Sequence, residues 1–431
     1  MRRIRWTALA LLGALAVTGC APAQSGTSAS STDTTTGQLR VWLFQEVNQG
    51  PEQAVVNAAV KEFEAAHSGV TVDVQYIQVD SRAERFKAAF SDPASAPDVA
   101  EFGNTDLAGY VADGGFADLS SDVSSWSEGK DLDPTILNTA KVNGKLYAVP
   151  WFVGVRALYY RTDVFSQLGL NPPATLADLA PLARQIHAAR PDMLGISVGG
   201  KYQYAAMPFI WANGGDLATE SSTGTYKAAI DSPLSQTGIS EYTSLLGNDI
   251  CPPSQCAQNG GDASVQAFAA GKAAMTIGGD FNRTAVDAGV VHGKYAVVPL
   301  PGTTAGSIAP AFAGGDLLGV TKSTSHRTLA VAFTELLAGK EYQLKMFQAM
   351  GNLPTFTDVQ AQVAASTPAE APFIRTLKAG TRFVPSTPAW AKIDAQSIIA
   401  TMLQQIATGA KSVQQASSAA ADSMNAEFGS S

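Results

Sequence analysis

The chain has 431 residues, with 29 lysines and arginines against 37 aspartates and glutamates and a net charge of −8. That surplus of acid argues against a phosphate backbone as partner, so nucleic acid is excluded. The four histidines, His67, His187, His292 and His326, are scattered, and no HExxH, P-loop or G-x-G-x-x-G pattern occurs, so no metal and no cofactor is expected.

Arg2, Arg3 and Arg5 precede an apolar core over residues 6–17, which Thr18, Gly19 and Cys20 end short of the roughly 20 apolar residues a membrane span needs. This is the layout of a secretion signal, residues 1–19. Val17-Thr18-Gly19-Cys20 closely resembles the lipobox of bacterial lipoproteins. The resemblance implies that Cys20 becomes the first mature residue, carries the lipid and anchors the protein to the outer face of the cytoplasmic membrane. An ordinary signal peptide cut elsewhere is the plainer alternative. Cys20→Ser is expected to release the protein from membranes in detergent-free fractionation; a variant that stays bound has a different anchor. Residues 20–37 are Ser/Thr-rich without apolar periodicity, which predicts a disordered tether with a reach of about 25 Å. The rest of the chain exceeds what one core usually supports, so two lobes are expected.

In "LRVWLF", Leu39, Val41 and Leu43 alternate with Arg40, Trp42 and Phe44, a strand pattern. Pro51 then stands near the first turn of a helix whose apolar residues Val55, Val56, Ala59, Val60, Phe63 and Ala66 recur at three and four. "VTVDVQYI" predicts a second strand, the segment to Phe90 a helix, and "PDVAEF" a third strand. A β-α-β order favours a mainly parallel sheet flanked by helices, with ligands beyond the carboxyl ends of the strands. Those ends carry "FQE" at 44–46 and "FGNTD" at 102–106. From "KLYAVPWFVGVRALYYRTDVF" a second set of elements begins. It includes a helix over 175–189 opened by Thr175 and Asp178 as a capping-box variant, and strands at "LGISV", "AAMTI", "YAVVPL" and "DLLGV". With Cys20 lipidated, Cys251 and Cys256 remain as a pair in "CPPSQC", where a disulfide is expected in an oxidising location. The competing metal site has two thiolates and no nearby histidine.

The order of segments resembles the extracellular solute-binding proteins of bacterial ABC transporters, family 1, the sugar-binding group that includes maltose-binding protein. The resemblance runs from Leu39 to the end and rests on "VWLF", "APDVAEFGNTDLAGYVADGGFADLS", "GKLYAVPWFVGVRALYYRTDVFSQLGL", "PFIWANGGDL", "FAAGKAAMTIGGDFNRT", "GGDLLGV" and "GNLPTF" in that order. It implies an α/β, two-lobed, periplasmic-binding-protein-like fold, each lobe a mainly parallel sheet flanked by helices. Three hinge crossings are expected near 150–155, 298–302 and 350–356, and the lobes span 38–152 plus 303–352 and 153–302 plus 353–431. It further implies a monomer that takes a carbohydrate from outside the cell to membrane permease subunits and performs no chemistry. "EFGNTD" and "GKYQYAAMPFIWANGG" resemble members associated with di- and oligosaccharides, amino-sugar disaccharides such as chitobiose among them.

Sugar recognition needs aromatic faces for the C–H faces of the rings and fixed polar groups for the hydroxyls. By family position, Trp151, Tyr204, Trp211, Phe281 and Trp390 are the candidate stacking residues, although Tyr204 and Trp211 also suit a buried helix stripe. Glu46, Asn104 and Asp106 lie just past strand ends, with Asp106 equally suited to cap a helix. Asp280 and Asp316 follow glycine pairs, and Arg156 is either a hydroxyl donor or the partner of an acid between the lobes. Two enzyme readings compete. "GISVG" matches a nucleophile elbow with Ser197 as nucleophile, and two of Glu46, Asp106, Asp280 and Asp316 could flank a glycosidic bond.

Overall fold

The computed structural model describes residues 33–46, 49–222 and 224–429. The secretion signal, Cys20 and the tether up to residue 32 lie outside the described residues. The end assigned to the tether is part of the folded body. Thr34 N donates to Ser325 O (2.7 Å), Asp33 accepts from the backbone and hydroxyl of Thr328, and Gly37 already opens the first strand. These short polar residues find partners at the first turn of the helix Arg327–Leu337.

Eight strands make the two main sheets: β1 (Gly37–Phe44), β2 (Val70–Ile77), β3 (Val99–Gly103), β4 (Val149–Gly154), β5 (Arg156–Arg161), β6 (Met275–Gly279), β7 (Tyr295–Val298) and β8 (Gly314–Val320). The first sheet has the order β2-β1-β3-β8-β4, with β1 parallel to β2 and β3 and the return strand β8 antiparallel to β3 and β4. The alternation in β1 marked it as a strand. Both its faces are buried, Leu39, Val41 and Leu43 on one side and Trp42 and Phe44 on the other, because helices cover both faces of a central parallel strand. The helix α1 (Gln49–Ala66) joins β1 to β2 and buries Val56, Ala59 and Phe63.

The second sheet departs from expectation. Its order is β6-β5-β7 and both pairings are antiparallel, so only the first lobe has a mainly parallel sheet. "LGISV" makes isolated parallel bridges, Leu194 with Ala273 and Ser197 with Thr276, and no strand. The expected capping box at Thr175 and Asp178 is present and opens the turn that leads into the helix Leu179–Ala189. The fold is a two-lobed α/β architecture.

The chain passes between the sheets at three places. The first is the single residue Val155, between β4 and β5. The second lies at Ala313, between the strand Ala311–Phe312 and β8, later than the expected 298–302. Leu300, Ala309 and Phe312 pack in the core that holds Leu158, Phe209 and Trp390, and Ala311–Phe312 pairs with Thr381–Arg382, so 299–312 stays with the second sheet. The third runs from the helix Lys340–Met350, packed on α1, toward the helix Ala371–Ala379, packed on β5. Cys251 and Cys256 are disulfide-bonded, as their pairing in the sequence suggested.

Candidate functional site

Two cavities adjoin: one of about 380 Å³ where the ends of β1, β3, β4 and β8 face β5 and the turn after β6, and one of about 540 Å³ lined by Arg156, Tyr202, Tyr204, Phe281, Asp394 and Thr401, all on the side of the second sheet. Arg156, Tyr204 and Phe281 line both, so they form one elongated cleft. The smaller chamber has a carboxyl wall. Glu46 leaves the end of β1, its amide donating to Gln49 Oε1 (2.8 Å), and Asp316 comes from β8. Glu52 and Glu101 stand behind them, Glu101 accepting from the Phe44 amide (2.6 Å). Burial is the main reason that Glu52 is pushed up to about 8 and Asp316 to about 7, and negative neighbours add to it. Among the described residues no group of histidines, cysteines and carboxylates could hold a metal ion.

Close strand contact shapes this wall. A Cβ on Gly315 would lie 2.2 Å from Phe152 O, so only glycine lets β8 approach β4 here. The register slips at the same point: Asp316 faces Phe152 while Leu317 faces Pro150, leaving Trp151 as the extra residue of a bulge. Phe152 therefore lines the cleft and Trp151, 2% exposed, sits in the core of the first lobe. This overturns the stacking role expected of Trp151. Trp211 and Trp390 are corrected in the same way, at 3% and 1% exposure in the second core, where Trp211 Nε1 donates to Asp216 Oδ1 (3.3 Å). Asp106 does not line the cleft either. It pairs with Arg82 (2.8 Å) and makes no side-chain cap bond.

The opposite wall is aromatic and cationic. Arg156 Nε donates to Tyr202 Oη (2.8 Å), and its guanidinium stands 5.4, 5.2 and 5.4 Å from the ring centroids of Tyr202, Tyr204 and Phe281. Tyr204 stacks on Phe312 at 4.7 Å, while Phe281 is 44% exposed, an open apolar face. Asp280, buried to 2% exposure, accepts from Val155 N through Oδ1 (2.8 Å) and so ties the first crossing to the turn after β6. Its Oδ2 has no hydrogen-bond partner among the described residues, and burial pushes the group up to about 8. Asn104 donates to Ala313 O (2.9 Å) at the second crossing.

Glu46, Asn104, Arg156, Tyr204, Asp280, Phe281 and Asp316 line one cleft. Sequence reasoning missed Phe152, Tyr202, Phe312 and Asp394. Phe152 needed the bulge to be known, and Asp394 lies one helical turn beyond Trp390, where it accepts from Gln203 Nε2 (2.5 Å) and Tyr204 Oη (3.3 Å).

The nucleophile reading of Ser197 fails on geometry. Ser197 is fully buried, its amide bonded to Met275 O (2.8 Å), and its hydroxyl has no hydrogen-bond partner among the described residues. Of the histidines that follow Ser197 in the chain, His292 stands beside Asp287 (3.7 Å) and His326 beside Asp98 (3.6 Å).

Residues 48–344 match the family model of the bacterial extracellular solute-binding proteins. The chain belongs to that family. As a solute-binding protein it is 26% identical over 361 residues to the diacetylchitobiose binding protein DasA of Streptomyces coelicolor, covering 83% of this chain and 81% of DasA. Among solved structures, the sugar-binding protein MalE of Xanthomonas citri superposes with a TM-score of 0.79 at 21% identity, covering 91% of this chain and 98% of MalE. The GacH receptor of Streptomyces glaucescens, solved unliganded and with acarbose, superposes with a TM-score of 0.76 at 20% identity, covering 91% and 98%.

Proposed function

We propose that this solute-binding protein captures a di- or oligosaccharide in the cleft, closes its lobes around it and delivers it to the permease of an ABC importer, held at the cell surface through a lipid on Cys20. The observation that carries the reading is the elongated double chamber, lined by aromatic rings and carboxyls together. Rings of Tyr204, Phe281 and Phe152 match the C–H faces of a sugar, and Glu46, Asp316 and Asp280 supply acceptors for its hydroxyls. The diacetylchitobiose named for DasA and the acarbose bound by GacH are ligands of that chemistry. The lobes would be 38–152 with 314–356 and 156–312 with 357–429, moving about Val155, Ala313 and the segment at 351–356. Contacts from both lobes then favour the closed population.

A thermal-shift panel of neutral and amino-sugar oligosaccharides tests this, since a ligand at 100 times its dissociation constant adds about 2.7 kcal/mol of stability. Phe281→Ala is expected to weaken the sugar that binds by about 2 kcal/mol, roughly thirtyfold, with little change in melting temperature, because the ring is already solvent-exposed. Calorimetry on the variant checks it. Unchanged affinity removes Phe281 from the site, and turnover of chromogenic glycosides by the wild type removes the non-enzymatic reading.

A further inference from the structure

The cleft wall at 201–204 leads into the buried helix Gln203–Ala212, but its approach is irregular. It follows the segment 198–200, which includes Gly199 and Gly200 and belongs to no helix or strand. Glycines leave such a segment free to take many backbone conformations, so something outside it must fix its path. Tyr242 Oη donates to Gly199 O (2.7 Å), and the loop from Cys251 to Gly260 lies backbone to backbone against the segment. Gly200 N donates to Cys256 O (3.0 Å), and Lys201 N to Asn259 O (3.0 Å). Cys251 Sγ lies 3.7 Å from Val198 O. A Cβ on Gly199 would come within 2.0 Å of Asn259 O, and one on Gly200 within 2.5 Å of Ala257 O, so no side chain separates the two strands of chain.

The supporting loop is short and held by its own turns, Cys256 N donating to Pro252 O (2.9 Å) and Asn259 N to Cys256 O (3.0 Å). One helical turn, Pro253–Cys256, is its only regular element, and the disulfide closes it. The bridge is buried, Cys251 at 0% and Cys256 at 1% exposure, which leaves it out of reach of solvent oxidants and reductants in the folded state. It encloses a short loop, so its effect on the unfolded chain is at the small end for disulfides. Its place in the fold gives it a second role. Beyond it, Gly261 backs the ring of Tyr202, where a Cβ would lie 2.7 Å from Cζ, and Tyr202 holds Arg156 in the cleft.

We propose that the Cys251–Cys256 bridge is a positioning element for the ligand site: by fixing the loop behind Gly199 and Gly200 it sets where Lys201 to Tyr204 and, through Tyr202, Arg156 stand in the cleft. The proposal rests on this cleft being where the sugar binds. It makes the bridge a determinant of affinity as well as of stability.

The test compares the full mature chain with Cys251→Ala/Cys256→Ala, using maltotriose and N,N′-diacetylchitobiose as probes at a temperature well below both melting midpoints. Affinity for whichever probe binds the native protein is expected to fall at least tenfold. Hydrogen exchange of the amides at 199–204, measured without ligand, is expected to quicken. A lower melting temperature with affinity and exchange both unchanged overturns the proposal. Should the double variant fail to fold, Cys251→Val/Cys256→Ala, which also lacks the bridge and fills more of the buried volume, is measured in its place, and the same two signatures are expected; their absence overturns the proposal equally. If neither probe binds the native protein, the sugar reading has failed for those probes, and the exchange of 199–204 alone decides the role of the bridge.

Discussion

Trp151→Ala is expected to lower the stability of the folded protein by roughly 3–5 kcal/mol, the usual cost of removing a large aromatic ring from a packed core. Trp151 is 2% exposed, belongs to the core of the first lobe and stands beside Phe152, ring centroids 5.4 Å apart. Chemical denaturation should show the loss, and sugar affinity of the folded variant should stay within about threefold of the wild type. Phe152→Ala should behave in the opposite way, with weakened binding and a small effect on stability, because its side chain lines the chamber. A Trp151→Ala protein that melts normally and fails to bind would return the indole to the site. The contrast between adjacent residues isolates the bulge at Asp316–Leu317 as the feature that decides which ring meets the ligand.

The second large effect is on pH dependence, and its sign is unusual for carboxyl groups. Glu52 and Asp280 are pushed up to about 8, Asp316 and Glu370 to about 7, in each case chiefly by burial. Between about pH 4 and these values the folded protein keeps protons that the unfolded chain has released, so stability falls as pH rises through that window. Each unit of separation carries about 1.4 kcal/mol, so the slope should be steep. Carboxylates held low work the other way and act below this window; Asp118, held at about 2 first by Ser120, is one. The melting temperature is therefore expected to be highest in mildly acidic buffer and to drop toward pH 8. Asp280→Asn should flatten that drop, since an amide can still accept from Val155 N through its oxygen and no longer titrates. A profile that rises from pH 5 to pH 8 in the wild type would contradict it. Ligand that supplies partners for Asp280 Oδ2 should reduce the drop as well.

The sequence by itself determined the local elements and the general place of the site. Period-two and period-three-to-four apolar patterns are properties of neighbouring residues, so β1, α1, β2, β3 and the capping box at Thr175 were legible. The β-α-β order pointed to strand ends, from which Glu46, Asn104 and Asp106 were named; Glu46 and Asn104 line the cleft, while Asp106 pairs with Arg82. Two cysteines left after Cys20 were enough to suggest the bridge. Tertiary structure decided what depends on partners distant in the chain. The antiparallel pairing of β5 with β6 and β7 joins segments more than a hundred residues apart, and no local pattern encodes the direction of a pairing. The late second crossing follows from Phe312 stacking on Tyr204 and Phe383, contacts that exist only once the second lobe is assembled. Trp151, Trp211 and Trp390 went into cores rather than the cleft because a tryptophan's burial is set by which face of its element meets which sheet. For Trp151 that face was set by a one-residue bulge against a strand lying more than 150 positions further on, where the missing side chain of Gly315 admits the close approach.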